Sequence, residues 1–217
     1  MIQSETGKLQ KFFSKGKLLR YKKDETILRS GETPQGVYFV DKGYIRLYSI
    51  SESGEELTLI IFKPCDFFPM MWAINGTANE NYLETITDAQ LYRSPRADFL
   101  HFLFENSDVL LELTSHILIR MGGILKRMEY LAFGNASQKV ASILMICTER
   151  FGEKKGNGAV IHIPLTHRDV AMLVGMTRET VSIEIKKLER KGIIEYAGRS
   201  IFLKDTARLQ KESLLSN

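Results

Sequence analysis

Apolar positions recur along this chain with two different periods, and the change from one to the other divides it. From Arg20 to about Arg96, short β-branched and aromatic runs (T-I-L-R, V-Y-F-V, Y-I-R-L-Y-S-I, L-T-L-I-I-F, L-E-T-I-T, A-Q-L-Y-R-S) are punctuated by turn residues, Gly31, Gly36, Gly43 and Gly54 among them. Short strands at near-regular spacing predict an antiparallel β jelly-roll barrel. The nineteen residues before it are basic and carry Phe12, Phe13, Leu18 and Leu19, a pattern that predicts a helix laid against the barrel. Beyond a helical connector, P-R-A-D-F-L-H-F-L-F, the period lengthens. From Asp108 to about Phe133, Leu110, Thr114, Ile117, Met121, Ile124, Met128 and Leu131 alternate at spacings of four and three, the seam of a coiled coil. Such a face either docks on its own barrel or pairs with a second copy. Gly122 and Gly123 interrupt it, each costing about 1 kcal/mol relative to Ala in a helix interior, which points to close helix approach or a weak point.

The helical period resumes after Phe133-Gly134-Asn135-Ala136-Ser137, a predicted hinge in which Asn135 caps a new helix and Gln138 completes the box. That helix runs to Phe151 with Val140, Ile143, Leu144 and Cys147 inward. A turn-rich loop, G-E-K-K-G-N-G, and a strand, A-V-I-H-I-P-L, lead to Thr166–Leu188: T-H-R-D-V-A-M-L-V-G-M-T-R-E-T-V-S-I-E-I-K-K-L. Thr166 is an oxygen-bearing cap with Asp169 three residues on, Val170, Leu173 and Val174 share one face, and Gly175 suits the left-handed turn where a helix stops. Thr177 caps a second helix whose stripe is Val181, Ile185 and Leu188. This is a helix-turn-helix, and its other face carries Arg178, Glu179, Ser182, Lys186 and Lys187. In this motif the second helix enters the major groove, where guanidinium pairs with guanine, carboxylate with cytosine and hydroxyl with either. The expected DNA contacts are Thr166, His167, Arg168, Thr177, Arg178, Glu179, Thr180, Ser182, Lys186 and Lys187. Downstream, I-I-E-Y, a turn at Ala197-Gly198-Arg199 and S-I-F-L predict a β hairpin, a wing with Arg199 at its tip against a phosphate. Asp205 caps a last short helix.

Charge sharpens this division. Residues 1 to 134 hold 16 Lys/Arg against 17 Asp/Glu, and residues 135 to 217 hold 14 against 9, so the whole net charge of +4 comes from the half with the helix-turn-helix. That is the electrostatic footprint of phosphate binding. Two cysteines, Cys65 and Cys147, are too few for a disulfide framework, a four-thiolate cluster or a structural zinc site. They read as buried small residues, with a redox role for Cys65 as the alternative. No histidine lies between Arg20 and Arg96, which removes the ligands of a cupin-like metalloenzyme and leaves no catalytic or metal set. No apolar run suits a membrane span or secretory signal, so the expected compartment is the cytoplasm.

The segment T-R-E-T-V-S-I-E-I-K-K-L-E, followed by K-G-I-I and a strand pair, resembles the DNA-binding domain of the Crp/Fnr family of bacterial transcription regulators. The Gly31-Glu32 turn, G-V-Y-F-V-D-K-G and P-C-D-F-F look like the family's effector domain. The resemblance implies pairing through the long helix, a palindromic operator in double-stranded DNA, and RNA polymerase as a further partner of an activator. Arg178 and Glu179 match the family's base-reading pair, and Ser182 a reading position of the fumarate-nitrate branch. Ile183 departs, since many relatives carry Arg there.

The sensor departs further. Cyclic-AMP-binding members supply a Gly-Glu pair for the ribose and an Arg-Ser pair for the phosphate where this chain reads P-M-M-W-A-I and N-E-N-Y-L. A buried phosphate would meet no cation there, which argues against a cyclic nucleotide. Phe67, Phe68, Met70, Met71 and Trp72 fall where the pocket would lie. They read as core filling, or as a pocket for an apolar small-molecule effector, with haem on Met70 or Cys65 as a narrower variant.

The expected organisation is α+β: a sensor barrel over 1–107, a dimerisation helix and hinge over 108–134, and a winged helix-turn-helix domain over 135–217. The competing reading keeps the effector module and gives the helix-turn-helix to protein contacts.

Overall fold

The structure, a computed structural model, describes residues 2–156, 158–197 and 200–215. The chain divides into two units between Arg120 and Met121, inside the long helix rather than at either end of it.

In the first unit, α1 (Ile2–Phe13) precedes β1 (Lys17–Tyr21), β2 (Thr26–Leu28), β3 (Val37–Lys42), β4 (Ile45–Ile50), β5 (Glu56–Phe62) and β6 (Phe67–Phe68). Then come α2 (Met70–Asn75), β7 (Tyr82–Thr85), β8 (Ala89–Ser94), α3 (Arg96–Glu105) and α4 (Ser107–Phe133). The strands form two antiparallel four-stranded sheets, ordered β1-β8-β3-β6 and β2-β7-β4-β5. The expected barrel is thus an open jelly-roll sandwich, because no ladder among the described residues joins one sheet to the other.

β3 shows why the layers stack as they do. Val37, Tyr38, Phe39 and Val40 are all buried, and successive strand side chains point to opposite faces. Val37 and Phe39 join a cluster with Leu9 and Phe13 of α1, Ala73 of α2, Phe99 and Leu103 of α3, and Val109 and Leu113 of α4. Tyr38 and Val40 join another with Leu28, Ile45, Phe62 and Leu83 from the second sheet. One sheet is therefore covered by helices on one side and by the other sheet on the other, which is why its apolar run is continuous instead of alternating. Phe13 anchors α1 through rings 5.1 Å from Phe39 and 5.6 Å from Phe99. The helix stops there: Leu18 and Leu19, expected in it, lie in β1, where pairing of Lys17 to Tyr21 with Arg93 to Ala89 overrides the local helical signal.

Gly43 and Cys65 are among the backbone positions that are strained or glycine-dependent. At Gly43 (φ 90°), an added Cβ would lie 2.4 Å from the Asp88 carbonyl oxygen. Cys65 occupies the left-handed region at φ 73°, which costs a residue with a Cβ about 1 kcal/mol or more. Cys65→Gly is expected to raise the stability of the folded chain, by about 0.5 kcal/mol once glycine's greater unfolded-state freedom is deducted, measured as a higher urea midpoint.

In the second unit the end of α4 is followed by α5 (Ala136–Phe151), β9 (Gly152–Lys155), β10 (Gly158–Ile161), α6 (His167–Val174), α7 (Arg178–Arg190), β11 (Ile194–Ala197), β12 (Ser200–Leu203) and α8 (Thr206–Glu212). Its sheet is ordered β11-β12-β10-β9. β9 forms where a loop is expected: all four of its residues are exposed, so no covered face wrote an apolar alternation into them. At the expected hinge, Asn135 and Gln138 exchange the capping-box hydrogen bonds at 3.0 Å each. A Cβ on Gly134 would sit 2.5 Å from the Tyr130 carbonyl oxygen, so that joint is closely packed. Tyr130 is fully buried, and Arg127 donates from Nη2 to the Leu173 carbonyl at the end of α6.

Candidate nucleic-acid interface

Helix α6 begins because its first donors are met. Thr166 Oγ1 accepts from the Asp169 N–H at 3.2 Å while Asp169 Oδ2 accepts from the Thr166 N–H at 2.7 Å. It ends at Gly175, φ 62°, whose N–H reaches the Ala171 carbonyl. The next helix starts two residues later, with Thr177 Oγ1 accepting from the Thr180 N–H at 3.3 Å. Val170, Leu173 and Val174 of α6 and Val181, Ile185 and Leu188 of α7 are buried, as the period requires.

This burial leaves the other face of α7 to solvent. Thr177, Arg178, Glu179, Lys186 and Lys187 are exposed, and Thr180 and Ser182 are half-buried. Ile183 is 55 % exposed in the middle of this polar row. On α6, Arg168 is exposed, with Thr166 and His167 half-buried. Thr166, His167, Arg168, Arg178 and Tyr196 line one open hollow of about 380 Å³. The Arg168 guanidinium and the His167 imidazole at a helix start suit a phosphate, with Arg178 at the rim on the side of α7.

Tyr196, on the wing strand β11, is absent from the sequence-derived set. It is held from three sides: its hydroxyl donates to the Leu165 carbonyl, its N–H donates to Glu189 Oε1 at 3.1 Å, and the His167 ring meets it edge-on at 4.8 Å. Burial pushes its phenol well above the ordinary tyrosine value, so it remains a donor at any working pH. Only its place in the wing hairpin, paired opposite Ile201, brings it here, and no local motif marks that. Gly198 and Arg199, the expected wing tip, lie outside the described residues.

The cations differ in availability. Lys187 donates to Glu184 Oε1 at 2.7 Å, and the Glu184 side chain is only 8 % exposed, so Lys187 is partly committed to covering a buried carboxylate. Lys186 is exposed and forms no ion pair among the described residues. Lys186→Ala is expected to weaken binding to every duplex alike and to lower the slope of log affinity against log salt by about 1. Titration of affinity against salt on one operator-like and one random duplex checks this.

In the first unit, the five residues expected to line an effector pocket do not form one cluster. Phe68 fills the inter-sheet core with rings 5.4 Å from Tyr38 and 5.0 Å from Phe62, whereas Phe67 belongs to the helix-side core. Met70 and Trp72 pack partly against that second core, and Met71 is 63 % exposed. Arg96 fixes α2 by donating from Nε to the Trp72 and Ala73 carbonyls at 3.0 Å each. Of the two cysteines expected to be buried, Cys147 is, but Cys65 is exposed. Desolvation by its neighbours, with the Asp66 and Asp41 carboxylates, pushes the Cys65 thiol above its ordinary value, opposite to what a reactive thiolate needs. Among the described residues no group of three or more His, Cys, Asp or Glu is placed to hold a metal, and no helix is long and apolar enough to cross a membrane.

On α4 the seam residues Leu110, Ile117, Met121, Ile124 and Met128 are 40 to 62 % exposed, Thr114 is exposed and Leu131 half-buried. Gly122 and Gly123 face open space, with nothing within 4 Å of an added Cβ.

An effector-domain jelly roll, a long helix with an uncovered apolar face and a winged helix-turn-helix with an exposed basic row define a two-domain DNA-binding transcription regulator. The cyclic nucleotide-binding domain family matches residues 18–106 and the Crp-like helix-turn-helix domain family residues 138–212. The chain belongs to the Crp/Fnr family of transcription regulators. It is 26 % identical to the nitrogen fixation regulation protein FixK of Bradyrhizobium diazoefficiens over 95 % of this chain and 86 % of that one. It is 24 % identical to the global nitrogen regulator of a Nostoc species over 88 % of this chain and 87 % of the relative. Among solved structures, FixK2 from Bradyrhizobium japonicum superposes with a TM-score of 0.81 at 24 % identity, covering 93 % of this chain and 99 % of that one. A CRP/FNR-family regulator from Thermus thermophilus superposes at 0.64 with 27 % identity, covering 90 % and 97 %.

Proposed function

We propose that this regulator binds a palindromic operator as a homodimer, with residues 1–107 as sensor, 108–134 as dimerisation helix and 135–217 as DNA-binding domain, in the cytoplasm and without catalysis. The observation that carries it is the two-sidedness of α7. Val181, Ile185 and Leu188 are sealed inside, while Arg178, Glu179 and Lys186 stand in solvent. Arg178, Glu179 and Ser182 then read bases, and Thr166, Arg168, Thr177, Thr180, Lys186, Lys187 and the wing residue Arg199 steady the backbone. Pairing follows from α4: an apolar stripe through Leu110, Ile117, Met121, Ile124 and Met128 that is exposed in one chain is covered in two. A two-fold protein also matches an operator of two half-sites.

The signal read by the sensor is a small molecule other than a cyclic nucleotide, and Phe67, Phe68, Met70, Met71 and Trp72, divided between two cores and the surface, do not make one pocket for it. Supporting this, residues 79–83 (N-E-N-Y-L) carry no cation, and the Asn79 amide is already engaged with the Arg29 and Asn81 carbonyls at 2.8 and 2.7 Å. RNA polymerase is the partner of an activating form. A salt titration separates this reading from a helix-turn-helix that contacts protein: DNA affinity should fall steeply and linearly on a log-log scale, and a flat, weak response would reject it.

A further inference from the structure

His167 and Ser182 sit on different helices, yet His167 Nδ1 and Ser182 Oγ are 2.8 Å apart. One of the three expected base readers is therefore already hydrogen-bonded within the protein. A serine hydroxyl has one proton, and whichever group it gives that proton to decides what the oxygen offers elsewhere. We infer that His167 is a positioning residue that sets whether Ser182 meets its base as hydrogen-bond acceptor or as donor. This rests on the DNA-binding reading above and deepens it.

The groups around the imidazole fix the direction of the effect. From α7 it faces Glu189, Arg178 and Lys186, from β11 the Tyr196 ring, and on its own helix Asp169 is committed to the Thr166 cap. Burial holds the ring below the ordinary histidine value, with Glu189 pulling upward against Arg178 and Lys186. Without DNA the ring is thus neutral near physiological pH and carries one N–H, and a phosphate bound beside it opposes the effect of burial and brings protonation back toward the mildly acidic range. Nδ1 is committed to Ser182, which leaves Nε2 for the hollow that His167 lines with Thr166, Arg168, Arg178 and Tyr196. A DNA phosphate in that hollow draws the proton to Nε2, because an N–H facing an anion is favoured over a lone pair. Nδ1 then accepts, Ser182 donates to it, and the serine lone pairs are turned to the groove. Such an oxygen selects cytosine N4 or adenine N6 amines. When the ring is protonated both nitrogens donate, Ser182 accepts from Nδ1, and its own proton is freed for guanine O6 or N7 or thymine O4.

The test is selection from random duplexes by the full-length protein, sequenced at about pH 8 and about pH 5.5, the range in which histidine changes charge. The position read by Ser182 is the one whose preference disappears in Ser182→Ala. Wild type is expected to prefer cytosine or adenine there by about fivefold at the higher pH, one hydrogen bond's worth, and to shift toward guanine or thymine at the lower. His167→Phe keeps a ring edge against Tyr196 and is expected to lose the pH-dependent shift, with the positions read by Arg178 and Glu179 unchanged. An identical preference at both pH values in wild type would overturn the inference, as would a shift that survives in His167→Phe or a loss spread evenly over all positions. Failure of wild type to select any sequence at either pH is a separate result, and it would remove the DNA-binding reading itself.

Discussion

Arg178→Ala is expected to lower operator affinity by about 1 to 3 kcal/mol and to relax the requirement at a single base position while binding to random DNA changes far less. The effect follows from where the residue sits. Arg178 is the first residue of α7, beside a capped helix start, exposed, and part of the hollow with Thr166, His167, Arg168 and Tyr196. The N-terminal residues of a recognition helix reach base edges, and a guanidinium there pairs bidentately with guanine. Removing it leaves the fold alone, since the buried stripe of α7 is untouched, so the unfolding midpoint should not move. Fluorescence anisotropy on a panel of single-base operator variants measures the effect. Equal losses on the operator and on random DNA would show Arg178 to be a phosphate contact instead.

The second large effect is expected from Ile117→Glu. Ile117 is 40 % exposed in one chain, so a single subunit tolerates the carboxylate, but in a paired seam it would be desolvated without a partner. The protein should sediment at half the mass of its unsubstituted form. Operator affinity should fall by about 100-fold or more, because the second half-site then no longer benefits from being held next to the first. Affinity for an isolated half-site should stay the same, which separates lost pairing from lost folding. A variant that remains a dimer would place the interface on another face of α4, where Leu111, Leu118 and Leu125 are also exposed.

Much of this was legible in the residues because the signals were local. The caps at Thr166, Thr177, Asn135 and Asp205 each need only a side-chain oxygen and a backbone donor within three residues, and all four form. The stripes of α6 and α7 are periodic and fall inside. What escaped depends on partners distant in the chain. Leu18 and Leu19 carry a helical-looking pattern that pairing with β8 overrules. Phe67 and Phe68 are neighbours in sequence and so read as one apolar cluster, yet strand geometry sends them to opposite faces and into separate cores. Tyr196 reaches the hollow beside α6 only because the wing folds back, and Lys187 is tied down only because Glu184 is buried beside it. Pairwise tertiary contacts of this kind leave no periodic trace.

For two copies to bind as one unit, their two α7 helices must enter successive major grooves. The most direct measurement of this is sequencing of the duplexes that the purified full-length protein retains from a random pool at physiological salt. The expected product is an inverted repeat whose half-sites are centred about 10 base pairs apart, or a multiple of that. Recovery of a single unsymmetric motif, or of no motif at all, would contradict it.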